Sequence, residues 1–290
     1  MENFQSTLRN PVTLSGYGVH TGKPSRITLN PATVGHGIVF SRVDEAGGIR
    51  YFFPAHTFYA GPTDRCTTLG QGNIRIDTIE HLMAAISAAS LDNLTIEVSS
   101  CEIPILDGSS APYMQAITQA GIKKQTAARK YIRVLETVRV ESGLGYAEFS
   151  PSNAMSFDIS IAFNSSLIDR QNLAFSLDME YFVREIASAR TFGFLKDVKD
   201  LWTAGLALGA SFKNSIVIGP DDVVLNSDGL MADDEFVRHK ALDAIGDTAL
   251  LGRPFIGLFR SFKGGHKLNA KAVKALLDSP RHYEIVEITP

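Results

Sequence analysis

The chain has only two cysteines, a single tryptophan and no run of basic residues. Cys66 and Cys101 form neither a CxxC pair nor a disulfide framework, so the sequence reads as that of a reducing compartment. Lysine and arginine total 28 against 31 aspartate and glutamate, a net charge of −3. That balance argues against a nucleic-acid binder relying on counterion release. The opening residues MENFQSTLRNPV hold no apolar core of a secretory signal. The longest mostly apolar stretch, Leu201 to Phe212, is about a dozen residues with two glycines inside it, short of the ~18 needed to span a bilayer. A cytoplasmic, monomeric protein with no transmembrane segment and no nucleic-acid partner is expected. The Asn93-Leu-Thr and Asn164-Ser-Ser sequons then carry no weight.

What is present is an ordinary globular composition, 44% hydrophobic and 20% charged over 290 residues, enough for about two domains. The polar stretch Lys123–Lys130 (KKQTAARK) reads as a linker between a first α+β domain, 1–125, and a second, 126–290. Period-two alternation predicts strands at Ser25–Asn30, Ile38–Arg42 and Ile49–Phe53. A helix follows at Thr78–Ala89, then a strand at Leu94–Val98 and a helix at about Ala111–Ala120. The second half repeats the order. Strands read at Ile132–Val140, Tyr146–Phe149, Phe157–Phe163 and Leu173–Ser176, with a helix at Met179–Ser188. A helix at Asp233–Leu251, a strand at Phe255–Phe259 and a helix from about Leu268 to Leu277 close it. The recurring helix–strand–helix unit points to an internal duplication, two sheets whose helix layers face each other.

Three of the seven histidines sit in unusual company. Glu80-His81 opens an otherwise apolar helix, TIEHLMAA. A helix N-terminus favours the acid for its dipole but disfavours a cationic imidazole, so His81 reads as neutral and fit for a metal. In DDEFVRHKALDAIGD, His239, Asp243 and Asp247 recur every fourth residue on one helix face, drifting toward the apolar side marked by Val237, Leu242 and Ile245. A solvated acidic face is the plain alternative; carboxylates on a packed stripe are costly unless they bind something. His266 follows a glycine pair at a strand-to-helix junction, a common place for a site and by itself a weak signal. Facing the two corresponding helices would bring His81 and His239 together. Asp243 would then complete two histidines and a carboxylate, the ligand set of a catalytic zinc with one position open. Glu80, next to a ligand but not needed as one, is the natural base.

TIEHLMAA, SARTFGF, DEFVRHKALDAIGD and KGGHKLN, with GYGVHTG, NLTIEVSSCEIPILDGSSAPY and GLALGASFKNSIVIG, resemble in order and spacing the UDP-3-O-acyl-N-acetylglucosamine deacetylase family over nearly the whole chain. The resemblance implies two similar β/α sandwich domains with helices packed between the sheets. It also implies one zinc ion per chain, with ferrous iron an alternative in the cell, held by His81, His239 and Asp243. Glu80 is implied as general base, and His266, charged and held by Asp247, as the second acid/base group. Thr191 would donate to the developing oxyanion. Lys240 would contact the polar head, Phe192 the sugar-nucleotide and Lys263 the diphosphate. Phe163 falls on the nucleotide side, where the family commonly has a His-Pro pair and this chain has Ser165-Ser166. The insert at about 191–215 becomes the passage for the hydroxyacyl chain. Gly205 and Gly209 are expected to leave a bare strip on a helix there, walled by Leu201, Trp202, Leu206, Leu208 and Phe212. The implied reaction removes the N-acetyl group of UDP-3-O-(3-hydroxyacyl)-N-acetylglucosamine, the committed step of lipid A biosynthesis. A zinc amidohydrolase on another N-acyl sugar, or a non-catalytic binding member of the fold, are the alternatives.

Overall fold

A computed structural model of the protein describes residues 2–43, 48–63 and 65–288. The first half holds β1 (Phe4–Leu8), β2 (Val12–Tyr17), β3 (Pro24–Pro31), β4 (Ile38–Val43), β5 (Arg50–Pro54), the short hairpin β6 (Leu69–Gln71) and β7 (Ile74–Ile76), α1 (Glu80–Ala88), β8 (Leu94–Val98), α2 (Ala111–Ala120) and β9 (Ile122–Ala128). In β3 the residues Ser25, Ile27 and Leu29 are buried while Pro24, Arg26 and Pro31 are exposed, the alternation of a strand with one packed face. The sheet runs β2-β3-β8-β4-β5, with β8 antiparallel to β3 and parallel to β4.

The second half holds β10 (Lys130–Val134), β11 (Val138–Ser142), β12 (Gly145–Ser150), β13 (Met155–Ala162), β14 (Arg170–Ser176), the single turn α3 (Met179–Tyr181), β15 (Phe192–Phe194), α4 (Val198–Thr203), β16 (Ile216–Ile218), α5 (Glu235–Thr248), β17 (Phe255–Phe262), α6 (His266–Leu277) and β18 (Tyr283–Glu287). Here β17 is antiparallel to β12 and parallel to β13, and the hairpins β11–β12 and β13–β14 flank it. The order hairpin, central strand, hairpin is that of the first sheet, and in both halves the central strand lies between two helices in sequence. Strands β10 and β18 extend the second sheet from the start of β17.

The helices meet where the halves meet. Helix α5 is buried on almost every face, so its side chains follow no simple amphipathic stripe. It packs along α1 so closely that a Cβ on Gly246 would lie 2.0 Å from the Glu80 carbonyl oxygen. One apolar cluster runs through both halves, from Leu29 and Phe40 through Leu82, Leu242 and Ile245 to Phe157 and Phe259. Among the described residues no helix is long and apolar enough to cross a membrane.

Several expected elements change. The stretch expected as a linker is mostly strand β9, antiparallel to β1. Its polar side chains are an edge strand's, and Gln125 accepts from Asn93 at 2.7 Å. Ile132–Val140 is two strands, broken at Leu135–Thr137 because β10 pairs with β17 and β18 while β11 pairs with β12. Met179–Ser188 is a single α-turn followed by a π-helical turn, Phe182–Ile186. In the insert only Val198–Thr203 is α-helical; Gly205, with φ of +71°, breaks the helix, so Gly205 and Gly209 share no helix face. β1, β2, β15, β16, β18 and the β6–β7 hairpin had no counterpart in the sequence reading.

Candidate active site

Glu80 and His81 form the first turn of α1, and His239, Asp243 and Asp247 descend one side of α5. All five are buried. The close α1–α5 approach at Gly246 brings the imidazoles of His81 and His239 to a centroid distance of 5.0 Å, edge to face. Asp243 Oδ1 lies 3.6 Å from His81 Nε2 and 3.4 Å from His239 Nε2. The three residues' ligand atoms all fall within 4.8 Å of one another.

This trio fits a metal ion. Asp243 Oδ1 is buried with no hydrogen-bond partner, although two ring nitrogens face it. Two nitrogen or oxygen ligands on a tetrahedral zinc, each about 2 Å from it, stand roughly 3.3 Å apart, close to the spacing found. Burial, reinforced by His81 and Lys240, pushes His239 down to about 3 and keeps the ring neutral. Its Nδ1–H donates to the Ala189 carbonyl at 3.0 Å, leaving the Nε2 lone pair free toward Asp243. Burial opposes ionisation of Asp243, but Lys240 and the facing histidines outweigh it and hold the carboxyl well below its ordinary range. Lys240 Nζ donates to Asp243 Oδ2 at 2.7 Å, which leaves Oδ1 for a ligand.

A second group adjoins the first. His266 is the first residue of α6, two residues before the expected helix start. Its Nδ1 lies 3.1 Å from both oxygens of Asp247, and its Nε2 lies 3.8 Å from Glu80 Oε1. Burial disfavours the imidazolium, but Asp247, Glu80 and Asp243 outweigh it and push His266 up to about 10. Burial raises Glu80 above the usual glutamate range, against the pull of His266 and His81. Both shifts favour the protonated form, and the two groups face each other across less than 4 Å.

Both open into a cavity of about 850 Å³ between the halves. Its wall includes Thr191, Phe192, Lys240, Lys263 and Phe163. The Phe192 ring packs edge-on against Phe236 and Phe163, at centroid distances of 5.0 and 5.7 Å, with Lys240 Nζ 5.5 Å from its centre. Beside Phe163, the Ser165-Ser166 turn is pinned by Asp222, whose Oδ2 accepts from the Ser166 amide at 2.5 Å and its hydroxyl at 3.0 Å. The insert supplies Val198, Leu201, Ala207 and Ala210 to the wall.

Gly209 and Phe212 do not belong to that wall. A Cβ on Gly209 would sit 2.2 Å from the Gly18 carbonyl oxygen, so its bareness serves a backbone crossing with the β2–β3 turn. Phe212 is 56% exposed, away from the cavity. The sequence reading also passed over His20 and Thr67. His20 lines the cavity from the β2–β3 turn, its Nδ1 accepting from the Ala207 amide at 3.4 Å. Its signal was a histidine framed by glycines in GYGVHTG. Thr67 joins Glu80 to Asp247 and left no signal in the sequence.

A family model described as UDP-3-O-acyl N-acetylglycosamine deacetylase (LpxC) matches residues 5–278. Proteins of Brucella ovis, Brucella abortus and Brucella melitensis biotype 2, each named UDP-3-O-acyl-N-acetylglucosamine deacetylase, are 52% identical over 289 residues, covering 99% of this chain and 100% of theirs. The match over nearly the whole chain and the end-to-end similarity to these proteins, with His81, His239 and Asp243 clustered from both halves, lead to one conclusion: the chain belongs to the UDP-3-O-acyl-N-acetylglucosamine deacetylase family.

Proposed function

We propose that the chain hydrolyses the N-acetyl group of a UDP-3-O-(3-hydroxyacyl)-N-acetylglucosamine, releasing acetate and a free 2-amine, as the committed step of lipid A biosynthesis in the cytoplasm. The observation that carries this reading is the orphaned Asp243 Oδ1 facing the ring nitrogens of His81 and His239, with Glu80 and His266 beside it. His81, His239 and Asp243 would hold zinc, or ferrous iron in the cell. When bound, the metal supplies a Lewis acid for the acetyl carbonyl and acidifies a water.

The chain's own groups do the rest. Glu80, which burial makes a stronger base than an ordinary glutamate, takes the proton of the attacking water. His266 is protonated at neutral pH, and its Nδ1–H is committed to Asp247, so Nε2–H is the proton that faces the cavity. That N–H and the Thr191 hydroxyl stabilise the oxyanion of the tetrahedral intermediate. His266 then passes its proton to the departing amine, which otherwise leaves very poorly. Lys240 and Lys263 meet the head group and diphosphate, while Phe192 and Phe163 lie against the sugar-nucleotide. The apolar wall of the insert takes the acyl chain.

The test compares acetate release from the acylated substrate and its unacylated parent, together with metal content. Eight buried methylenes contribute about 6 kcal/mol, on the order of 10⁴ in kcat/KM. The expected result is a loss of several orders of magnitude without the acyl chain. Equal kcat/KM for both would leave only a generic N-acyl sugar deacetylase, and metal without acetate release would leave a binding protein.

A further inference from the structure

Thr67 is 2% exposed and belongs to the first half, just before β6. Its backbone N–H donates to Glu80 Oε2 at 3.0 Å, and its carbonyl accepts from the Ile79 amide at 3.2 Å, which ties it to the start of α1. Its hydroxyl donates to Asp247 Oδ1, across the seam between the halves, and lies 3.4 Å from His266 Nδ1. On the other carboxylate oxygen, Asn269 Nδ2 of α6 donates to Oδ2 at 2.9 Å. Asp247 is therefore held at each oxygen by a neutral donor, one from each half. Its two oxygens stand equally far, 3.1 Å, from His266 Nδ1.

A carboxylate that can rotate about its Cβ–Cγ bond presents its oxygens to an imidazole at varying distance. Fixing both oxygens removes that freedom and with it the swing of the ring. We propose that Thr67 is a positioning residue of the reaction: its hydroxyl sets the plane of Asp247, which sets the direction of His266 Nε2–H, while its amide sets Glu80. One residue thus aligns acid and base to each other. The proposal rests on the reading of His266–Asp247 as the acid pair given above.

The tests are Thr67→Val, which keeps shape and loses the donor, and Thr67→Ser, which keeps the donor. Thr67→Ala replaces the valine variant should that one not fold. A misaligned proton donor costs on the order of 10²-fold. Thr67→Val should lower kcat on the acylated substrate by about ten- to a hundredfold, with KM and metal content close to the parent's, and Thr67→Ser should restore most of it. Because the hydroxyl acts through Asp247, Thr67→Val added to Asp247→Asn should cost little beyond Asp247→Asn alone. A lowered melting temperature with unchanged kcat in Thr67→Val, or two losses that multiply in the double variant, overturns the proposal while leaving the acid pair standing. An unchanged kcat in Asp247→Asn overturns the acid pair and the proposal together.

Discussion

His81 was conspicuous in the sequence because a helix N-terminus disfavours a cationic imidazole, and His239 because two aspartates follow it on a stripe that drifts toward the apolar side of its helix. The same stripe gave Asp243, and Glu80 was reached as the acid next to His81. His266 had only a glycine pair to mark it, and its strength as a site residue comes from Asp247, nineteen positions away in the chain. Two predictions belong to this scale. Glu80→Gln should keep the metal yet lower kcat by about 10²–10⁴, since it removes the base without touching a ligand; metal analysis beside steady-state kinetics checks it. Metal loss in that variant would make Glu80 a ligand instead. The second concerns pH. In the proposed reaction His266 acts protonated, so activity should fall as pH rises through its pKa, which Asp247 helps to raise. Asp247→Asn removes that support and should move the basic limb of the kcat profile to lower pH, besides lowering its plateau. A basic limb that stays in place would assign it to another group.

At the scale of elements, α2 and α6 were legible because period-3.6 apolar spacing and turn residues mark them, α1 from its run of Ile, Leu, Met and Ala, and α5 from the recurrence of His239, Asp243 and Asp247 every fourth residue. The β9 edge strand was not, because an edge facing water carries the same polar residues as a linker, and its pairing with β1 is over a hundred residues distant. The insert misled in the opposite direction: its apolar run resembled a long helix, and two left-handed backbone positions, Gly205 and Ala207, broke it. Gly246 is the element-scale test. Gly246→Ala places a methyl carbon against the Glu80 carbonyl, and neither helix backbone can yield without moving a ligand. The expected cost is about 1–3 kcal/mol by thermal or urea unfolding, with weakened metal binding. Parent-like stability and full metal content would show that the α1–α5 approach tolerates more room than its geometry implies.

At the scale of the molecule, the proposed metal site is also a joint, since His81 comes from one half and His239 and Asp243 from the other. Metal that binds only the docked halves stabilises the fold by roughly 4 kcal/mol when free metal exceeds its Kd a thousandfold. Chelation should therefore lower the melting temperature by several degrees, and His81→Ala or His239→Ala should melt at the chelated value with or without added zinc. A parent protein whose melting point ignores the chelator would mean that apolar packing alone holds the seam.

From the sequence alone come helices α1, α2, α5 and α6, the central strands of both sheets, the repeated order of elements and the ionisable residues that packed helices had no other reason to contain. Those follow from local rules, the side-chain period and the cost of burying charge, which act within a few residues. What the tertiary structure decided is the contact between the halves: Gly246 against the Glu80 carbonyl, the Thr67 hydroxyl on Asp247, the β2–β3 turn against Gly209, and His20 in the cavity wall. Each joins residues more than a hundred positions apart, through backbone approach, a single hydroxyl or a single imidazole, and none leaves a periodic mark on the chain that makes it.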